Sequence, residues 1–172
     1  MKNILLIRHG QSEWNKLNLF TGFKNIELSD QGIEEADKAG QNFKNLNIKF
    51  DIVFTSKLKR AQETAKIILK NLNQWDHLYE KGKIKTDINL NERDYGDLTG
   101  LNKKETADKF GEEQVHKWRR GYSDQPPNGE SLEDVVRRVK IYFEDSINPA
   151  IQSADNNNIL IAAHGNSLRA LL

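Results

Sequence analysis

Short runs of apolar residues alternate with amphipathic segments along the chain. Three continuous apolar runs, Asn3–Ile7, Asp51–Phe54 and Asn158–Ala163, each stop at polar residues or glycine. A continuous run of this length is typical of a strand buried on both faces of a parallel sheet. We therefore predict three such strands. The last should lead into a helix that begins near Asn166 or Ser167, because both residue types favour helix N-caps.

Amphipathic patterns between these runs predict four further helices. The first follows a Ser29 cap, and its apolar face comprises Ile33, Ala36, Gly40 and Phe43. The second has an apolar face made of Leu58, Ala61, Ala65, Ile68, Leu69 and Leu72. Capping-box patterns open the other two, a short helix from Asn102 to Gly111 and a long one from Ser131 that ends or kinks at Asn148–Pro149. The stretches 89–100 and 121–129 are predicted loops. Strands that alternate with helices indicate parallel strands joined by right-handed crossovers, hence a doubly wound α/β sheet.

Composition narrows the class of protein. The 172 residues fit one domain, residues 1–172, that can bury a continuous core. The absence of cysteine excludes disulfides and cysteine-bound zinc. A net charge of +1 provides no chain-wide field for nucleic acid or an anionic membrane, and no apolar run approaches the length of a membrane span. We expect a soluble cytoplasmic protein in which any cluster of basic residues binds a small ligand.

Two histidines occur in matching surroundings. His9–Gly10 and His164–Gly165 each follow an apolar strand, so both imidazoles should emerge at the carboxyl edge of one sheet. Each glycine leaves space above the strand tip, so that the backbone can approach a ligand. A lone histidine at a strand end is usually structural, but the pair favours a catalytic interpretation.

Basic residues suggest what the ligand is. Arg8 adjoins His9, while Lys57, Lys59 and Arg60 crowd the start of a helix, where cations are disfavoured. Lys57 and Lys59 also fit a solvated helix end, whereas Arg60 should point inward. The pair Arg119 and Arg120 fits either an exposed face or the same site. If these arginines converge with the imidazoles, the site matches a tetrahedral dianion.

Other uses of the two histidines are less consistent with their neighbours. Acidic residues do not adjoin His9 or His164, and a cationic site repels a metal ion, so we predict no metal. Neither a phosphate loop nor a dinucleotide fingerprint follows any strand. An imidazole among arginines instead fits phosphoryl transfer through a phosphohistidine, which needs a proton donor and acceptor. Glu92 is a candidate for that role, although a salt bridge is the simpler use of such a residue.

The decapeptide Leu6–Asn15 resembles the signature of the histidine phosphatase superfamily, and specifically of its cofactor-dependent phosphoglycerate mutases. Further motifs in the same order extend the resemblance over essentially the whole chain: Phe20–Gly22, Leu28–Gly32, Thr55–Ala61, Asn91–Arg93, Tyr95–Gly96, Gly100–Lys103, Trp118–Arg120 and His164–Leu171. The resemblance implies a three-layer α/β sandwich with a mostly parallel, doubly wound sheet. It also implies interconversion of 3-phosphoglycerate and 2-phosphoglycerate in glycolysis and gluconeogenesis, with 2,3-bisphosphoglycerate as phosphoryl primer and no metal.

Roles for individual residues follow from the same resemblance. It implies that His9 is phosphorylated, that Arg8, Arg60 and His164 hold the phosphoryl group, and that Glu92 is the acid/base. Residues implied to bind substrate are Ser12, Asn15, Thr21, Gly22, Tyr95, Lys103, Arg119, Arg120, Gly165 and Asn166. The implied partners are small phosphorylated three-carbon acids, and a homodimer or homotetramer is possible.

The chain departs from the family pattern in two places. Asp94 stands where many mutases have histidine, and the chain stops at Leu172, before the strands that complete the sheet in the family. By family topology, one side of Asn3–Ile7 should be uncovered. The sequence is then either part of a longer protein or a shortened one whose edge a partner covers. Two other functions stay open: a phosphomonoesterase on the same scaffold, and a truncated, non-catalytic binder of phosphorylated ligands.

Overall fold

A four-stranded parallel sheet forms the centre of the molecule. A computed structural model describes residues 1–172. The strands are β1 (Asn3–Arg8), β2 (Ile52–Ser56), β3 (Ile84–Asp87) and β4 (Asn158–Ala163), in the spatial order β1-β4-β2-β3. Each neighbouring pair is parallel, and Leu6 and Phe54 both lie opposite Ile161. The prediction of a doubly wound parallel α/β sheet is confirmed.

Helices connect the strands and cover the sheet. They are α1 (Glu13–Lys16), α2 (Asp30–Asn45), α3 (Lys59–Asn71), α4 (Trp75–Glu80), α5 (Lys103–Phe110), α6 (Glu112–Arg120), α7 (Leu132–Tyr142), α8 (Asn148–Gln152) and α9 (Gly165–Leu171). A π-helical segment, Phe143–Ile147, joins α7 to α8, so the helical conformation continues past Pro149 to Gln152 and does not end at Asn148–Pro149. Of two 3₁₀ turns, Ile88–Leu90 overlaps the start of the predicted 89–100 loop and Gly96–Leu98 lies within it. None of the helices has the length and apolar character needed to cross a bilayer.

The core that packs on the sheet has two halves, one on each face, and Phe20, Leu98 and Val115 form a smaller separate cluster. Successive residues of β2 and β4 point to opposite faces, as the pleat requires. One half contains Phe50, Val53, Ala65, Ile68, Leu69, Leu78, Leu160 and Ala162. The other contains Ile52, Phe54, Leu90, Tyr142, Ile147, Ile159, Ile161 and Ala163. Burial on both faces gives the three layers and explains why β2 and β4 read as continuous apolar runs.

The strand prediction was incomplete in one place and wrong about burial in another. β3 was missed, because its four residues, Ile84–Asp87, carry no continuous apolar run and pair only with β2. β1 is not buried on both faces: Ile4 and Leu6 are 45% and 37% exposed, while Leu5 and Ile7 pack on the core. β1 pairs only with β4 and is therefore an edge strand, which agrees with the expected uncovered side.

Most of the predicted caps are present. Ser29, Asn102 and Ser131 each accept hydrogen bonds from backbone amides of the helices that follow, and Ser131 and Asp134 form a reciprocal capping box. The last helix begins earlier than predicted, at Gly165, so His164 occupies the N-cap position instead of Asn166 or Ser167. On α2, Ala36 and Gly40 are buried as expected, but Ile33 is 45% exposed, so its place on the apolar face was predicted wrongly.

The start of α2 packs tightly on the segment after β1. The Ser29 amide and hydroxyl both donate to the carbonyl of Gln11. A Cβ at Gly32 would overlap that same carbonyl oxygen, and a Cβ at Gly10 would overlap the carbonyl of Gly32. Backbone therefore lies against backbone at this point, and α2 sets the position of the segment that carries His9.

Replacing Gly32 with alanine tests this packing. Because the added methyl group has no space, we expect Gly32→Ala to lower the free energy of unfolding by about 1–3 kcal/mol, as overpacking does elsewhere. Urea unfolding followed by circular dichroism measures the change. Lys38→Ala, at an exposed position of the same helix, is the control and should stay within about 0.5 kcal/mol of wild type. A Gly32→Ala protein as stable as the control would contradict the close packing.

Candidate active site

A polar cleft of about 140 Å³ opens at the carboxyl edge of the sheet. Its walls are formed by Arg8, His9, Asn15, Thr21, Gly22, Arg60, Glu92, Tyr95, Lys103, Arg119, Arg120, Gly165 and Asn166. Every one of these residues is a catalytic or binding residue in the prediction from the sequence. Two other predicted residues, Ser12 and His164, are fully buried and do not reach the wall.

The ring of His9, in the cleft wall, contacts the ring of His164 behind it. Their ring centroids are 4.9 Å apart and the rings are tilted by 57°, so they adjoin without stacking face to face. Nδ1 of His9 lies 2.6 Å from the carbonyl oxygen of Gly10 and donates to it, which leaves the lone pair on Nε2 free. Burial, followed by the charge of Arg60, lowers the pKa of His9 to about 3. His9 is therefore a neutral imidazole at ordinary pH, as a nucleophile must be.

His164 lies deeper than His9 and contacts a residue that sequence reasoning missed. Its Nε2 is 2.7 Å from the hydroxyl of Ser56, which also accepts a hydrogen bond from the Leu58 amide. Burial, and then the charge of Arg60, lowers the pKa of His164 well below its ordinary value. Ser56 ends β2, the neighbour of β4 in the sheet, so adjacency in the sheet brings it to His164.

Arg60 supplies a buried positive charge. Its side chain is 1% exposed, and its two terminal nitrogens donate to the carbonyls of Lys24 and Gly22, each at 2.8 Å. Burial lowers the pKa of Arg60 to about 10, so the group still keeps its charge at neutral pH. Lys57 and Lys59 remain exposed, and Lys59 pairs with Glu27 at the surface. Of the basic residues at the start of α3, only Arg60 reaches the cleft.

Glu92 is the only acidic side chain in the cleft wall. Its Oε1 accepts hydrogen bonds from the amides of Arg93 (2.7 Å) and Asn166 (3.2 Å). Its Oε2 accepts none, and it lies 3.8 Å from the position that a Cβ on Gly165 would take. The missing side chain at Gly165 therefore leaves one carboxylate oxygen uncovered toward the cleft.

The outer wall of the cleft is cationic. Arg119 and Arg120 end α6, and Lys103 begins α5. Burial, together with the charges of Arg119 and Arg8, lowers the pKa of Lys103. Burial raises the pKa of Tyr95, whose ring packs 5.0 Å from that of Phe20. Arg119 and Arg120 thus belong to the cleft rather than to an unrelated exposed face.

Two of the predicted binding residues, Ser12 and Asn15, form a helix cap. The hydroxyl of Ser12 accepts from the Asn15 amide, and the Asn15 side chain accepts from the Ser12 amide. The Ser12 hydroxyl accepts in this cap and keeps its own proton to donate, so the direct contact of Ser12 with a ligand stays a prediction. Thr21 and Gly22 line the wall, and Gly22 has φ +52°, a conformation that suits glycine and aims its carbonyl at Arg60.

Charge determines which ligands the cleft can hold. Five cationic side chains face one carboxylate: Arg8, Arg60, Lys103, Arg119 and Arg120 against Glu92. Such an excess attracts anions and repels metal ions. The chain has no group of three or more histidine, aspartate or glutamate side chains arranged to hold a metal. An anion with more than one charged group would relieve the repulsion among the cations.

The fold and the cleft define an α/β protein with a histidine-containing anion site, and sequence comparison identifies its family. The model of the histidine phosphatase superfamily (branch 1) matches residues 4–172. The chain belongs to this superfamily. Two solved structures of similar fold are a phosphoglycerate mutase from Bacillus anthracis and a putative alpha-ribazole-5'-P phosphatase from Escherichia coli. The mutase has a TM-score of 0.80 and 22% identity, over 98% of this chain and 77% of its own. The phosphatase has a TM-score of 0.75 and 25% identity, over 96% and 74%.

Curated relatives are more similar in sequence. A protein of Parvibaculum lavamentivorans is 53% identical over 100% of this chain and 79% of its own length. One of Methylocella silvestris is 52% identical over 98% of this chain and 79% of its own. Both are named 2,3-bisphosphoglycerate-dependent phosphoglycerate mutase.

The buried state of His9 predicts a loss of stability in acid. Its pKa is about 3 in the folded protein and near 6.5 when unfolded, so below about pH 6.5 the unfolded chain binds a proton that the folded protein does not. Stability should therefore fall as pH drops, by about 2 kcal/mol between about pH 8 and pH 5 from His9 alone. Urea unfolding of His9→Gln should lack this part of the pH dependence. His77→Gln, at an exposed histidine, should keep it; equal pH profiles for His9→Gln and wild type would refute the assignment.

Proposed function

We propose that this protein is a 2,3-bisphosphoglycerate-dependent phosphoglycerate mutase that interconverts 3-phosphoglycerate and 2-phosphoglycerate. The observation that carries the proposal is a neutral histidine and one carboxylate in a cleft whose other charged groups are all cationic. That arrangement provides a nucleophile, a proton carrier and two anion-binding regions. Relatives with this name, about half identical over the whole chain, support it.

Catalysis begins with attack by His9. Nε2 of His9 attacks a phosphoryl group of the bound bisphosphoglycerate, an N–P bond forms, and the P–O bond to the carbon skeleton breaks. Glu92 gives a proton to the departing oxygen through Oε2, its uncovered carboxylate oxygen. The monophosphoglycerate product then leaves. The free hydroxyl of an incoming 3-phosphoglycerate attacks the phosphohistidine, the N–P bond breaks, and Glu92 takes the proton of that hydroxyl as 2,3-bisphosphoglycerate forms. After reorientation the bisphosphoglycerate gives its other phosphoryl group to His9, and 2-phosphoglycerate is released.

The positive groups near His9 stabilise the phosphoryl group in transfer. Arg8, Arg60 and the amide of Gly165 can donate to its oxygens, whose charge grows in the transition state. His164 is fully buried and does not line the cleft; its ring packs against that of His9 and closes the site on that side. It contacts the phosphoryl group only when that group moves past the cleft wall toward His164.

The outer cations hold the far end of the substrate. Lys103, Arg119 and Arg120 are placed to bind a carboxylate or a second phosphate, and Asn15, Thr21, Gly22, Tyr95 and Asn166 complete the wall. A mutase must keep the bisphosphorylated intermediate while it reorients, whereas a phosphatase releases product and admits water. The second cationic region therefore favours a mutase.

The second candidate function is hydrolysis of phosphate monoesters. The observation that favours it is the similar fold of a structure named as a putative phosphatase. A non-catalytic binder of phosphorylated ligands would use the same cations without the transfer step. We further propose that the protein works without a metal, in the cytoplasm, and as a homodimer or homotetramer.

Transfer of label to the protein tests the function. Incubation with ³²P-labelled 2,3-bisphosphoglycerate should give an acid-labile protein phosphate in wild type and none in His9→Ala. The labelled protein should then pass its phosphate to 3-phosphoglycerate or 2-phosphoglycerate. Release of all label as inorganic phosphate would favour the phosphatase, and absence of covalent label would favour the binder.

Removal of charge from the outer wall of the cleft should change how the bisphosphorylated intermediate divides between hydrolysis and isomerisation. In Arg119→Gln/Arg120→Gln we expect the ratio of hydrolysis to isomerisation to rise about tenfold, because the intermediate is held less firmly. Phosphate release and 2-phosphoglycerate formation, measured in one reaction, give the ratio. Arg137→Gln, which alters an exposed arginine on α7, is the control. An unchanged ratio would show that these two arginines do not retain the intermediate.

A further inference from the structure

Arg138 on α7 uses all of its hydrogen-bond donors. A guanidinium group has five N–H bonds, and here each has an acceptor within 3.0 Å. Three of these acceptors are the backbone carbonyls of Asn89, Asn91 and Glu92. The other two are the carboxylate oxygens of Glu130. An α7 side chain therefore holds the chain segment that leads into Glu92.

Glu130 holds the segment on the other side of Glu92. One of its carboxylate oxygens accepts from the Asp94 amide, and its own amide donates to the Asp94 carbonyl. Its backbone carbonyl accepts from Nε of Arg93 at 2.7 Å. Arg138 and Glu130 are mostly buried, with side chains 14% and 22% exposed, and neither lines the cleft. Together they fix the backbone before and after Glu92 from outside the site.

This placement matters for the carboxylate because Glu92 has no other firm support. Its side chain forms no ion pair, and Oε1 depends on two amides, one in its own segment and one in α9. A small shift of the 89–94 backbone would move Oε1 away from the Asn166 amide and Oε2 away from the leaving oxygen. Displacements of about 1 Å can cost about a hundredfold in rate.

Stabilisation of α7 alone does not explain the arrangement. A partly buried ion pair is weak evidence for stability, because desolvation offsets its attraction. Three of the five donors go to carbonyls of a segment 46 to 49 residues earlier in the chain. The neighbouring Arg137 pairs with Asp134 on its own helix and is exposed, which is the usual pattern for a surface arginine.

We propose that Arg138 and Glu130 are positioning residues that hold Glu92 where its free carboxylate oxygen reaches the leaving oxygen of the substrate. The inference rests on the proposed role of Glu92 as acid/base. It predicts a loss confined to steps in which Glu92 must deliver a proton. Steps that need only His9 and the phosphate-binding cations should keep their rates.

Leaving groups that differ in basicity separate these two kinds of step. Phosphorylation of His9 by 2,3-bisphosphoglycerate expels an alkoxide, which needs a proton, whereas phosphorylation by p-nitrophenyl phosphate expels a stable phenolate. Arg138→Lys keeps the charge but has three donors on one nitrogen, so it cannot reach all five acceptors. We expect Arg138→Lys to slow phosphorylation by 2,3-bisphosphoglycerate at least tenfold. Its rate with p-nitrophenyl phosphate should stay within about twofold of wild type.

Three further variants complete the test. Glu92→Gln should show the same selective loss and serves as the reference. Arg137→Lys, the matched change at the next residue, should leave both rates unchanged. Glu130→Gln keeps the size of the side chain while it removes the charge, so it should repeat the selective loss and carries the test if Arg138→Lys does not fold. Circular dichroism establishes that each variant is folded.

The outcomes distinguish the two proposals. If wild type forms no phosphohistidine with 2,3-bisphosphoglycerate, the proposed function fails. If wild type is labelled and both Arg138→Lys and Glu130→Gln match it with either donor, the positioning role is overturned. Equal slowing with both donors also overturns it, because the defect would then lie in the phosphate pocket or the fold.

Discussion

The site depends on burying positive charge beside two neutral imidazoles. Arg60 is almost entirely removed from solvent, and it tolerates this because two backbone carbonyls accept from its terminal nitrogens. Burial, followed by this charge, lowers the pKa of His9 and of His164. The same charge that keeps His9 nucleophilic also attracts the phosphoryl group that it attacks. Without an anion in the cleft these cations repel one another, so affinity for polyanions is built into the fold.

The parallel sheet makes this arrangement possible. β1 and β4 are neighbours, so their carboxyl ends deliver His9 and His164 to one place although the residues are far apart in sequence. α2 then fixes the His9 segment through a backbone contact that only glycine at position 32 allows. Burial of both faces of β2 and β4 holds this edge rigidly, and rigid support is what a site for in-line transfer requires.

Much of the fold could be predicted from the sequence, and the elements that the prediction missed have physical reasons. β2 and β4 were predicted because strands covered on both faces must be apolar throughout. β3 was missed because a four-residue edge strand needs no such run, and the exposure of Ile4 was missed because periodicity does not tell an edge strand from a central one. The residues of the cleft wall were predicted from their motifs. Arg138 was not, since its hydrogen bonds go mainly to distant carbonyls, which leave no pattern of spacing.

The hydrogen bonds around Glu92 show how its carboxylate stays unpaired although five cationic side chains line the same cleft. A carboxylate in a close ion pair with a guanidinium keeps its negative charge and cannot readily exchange a proton. Here the buried guanidinium groups are directed elsewhere: Arg60 donates to the carbonyls of residues 22 and 24, and Arg93 donates to those of residues 124 and 130. Glu92 is held by neutral amides at one oxygen, and Arg138 binds its backbone carbonyl rather than its carboxylate. Backbone carbonyls thus accept from all three of these arginines, none of them pairs with the Glu92 carboxylate, and its second oxygen accepts no hydrogen bond.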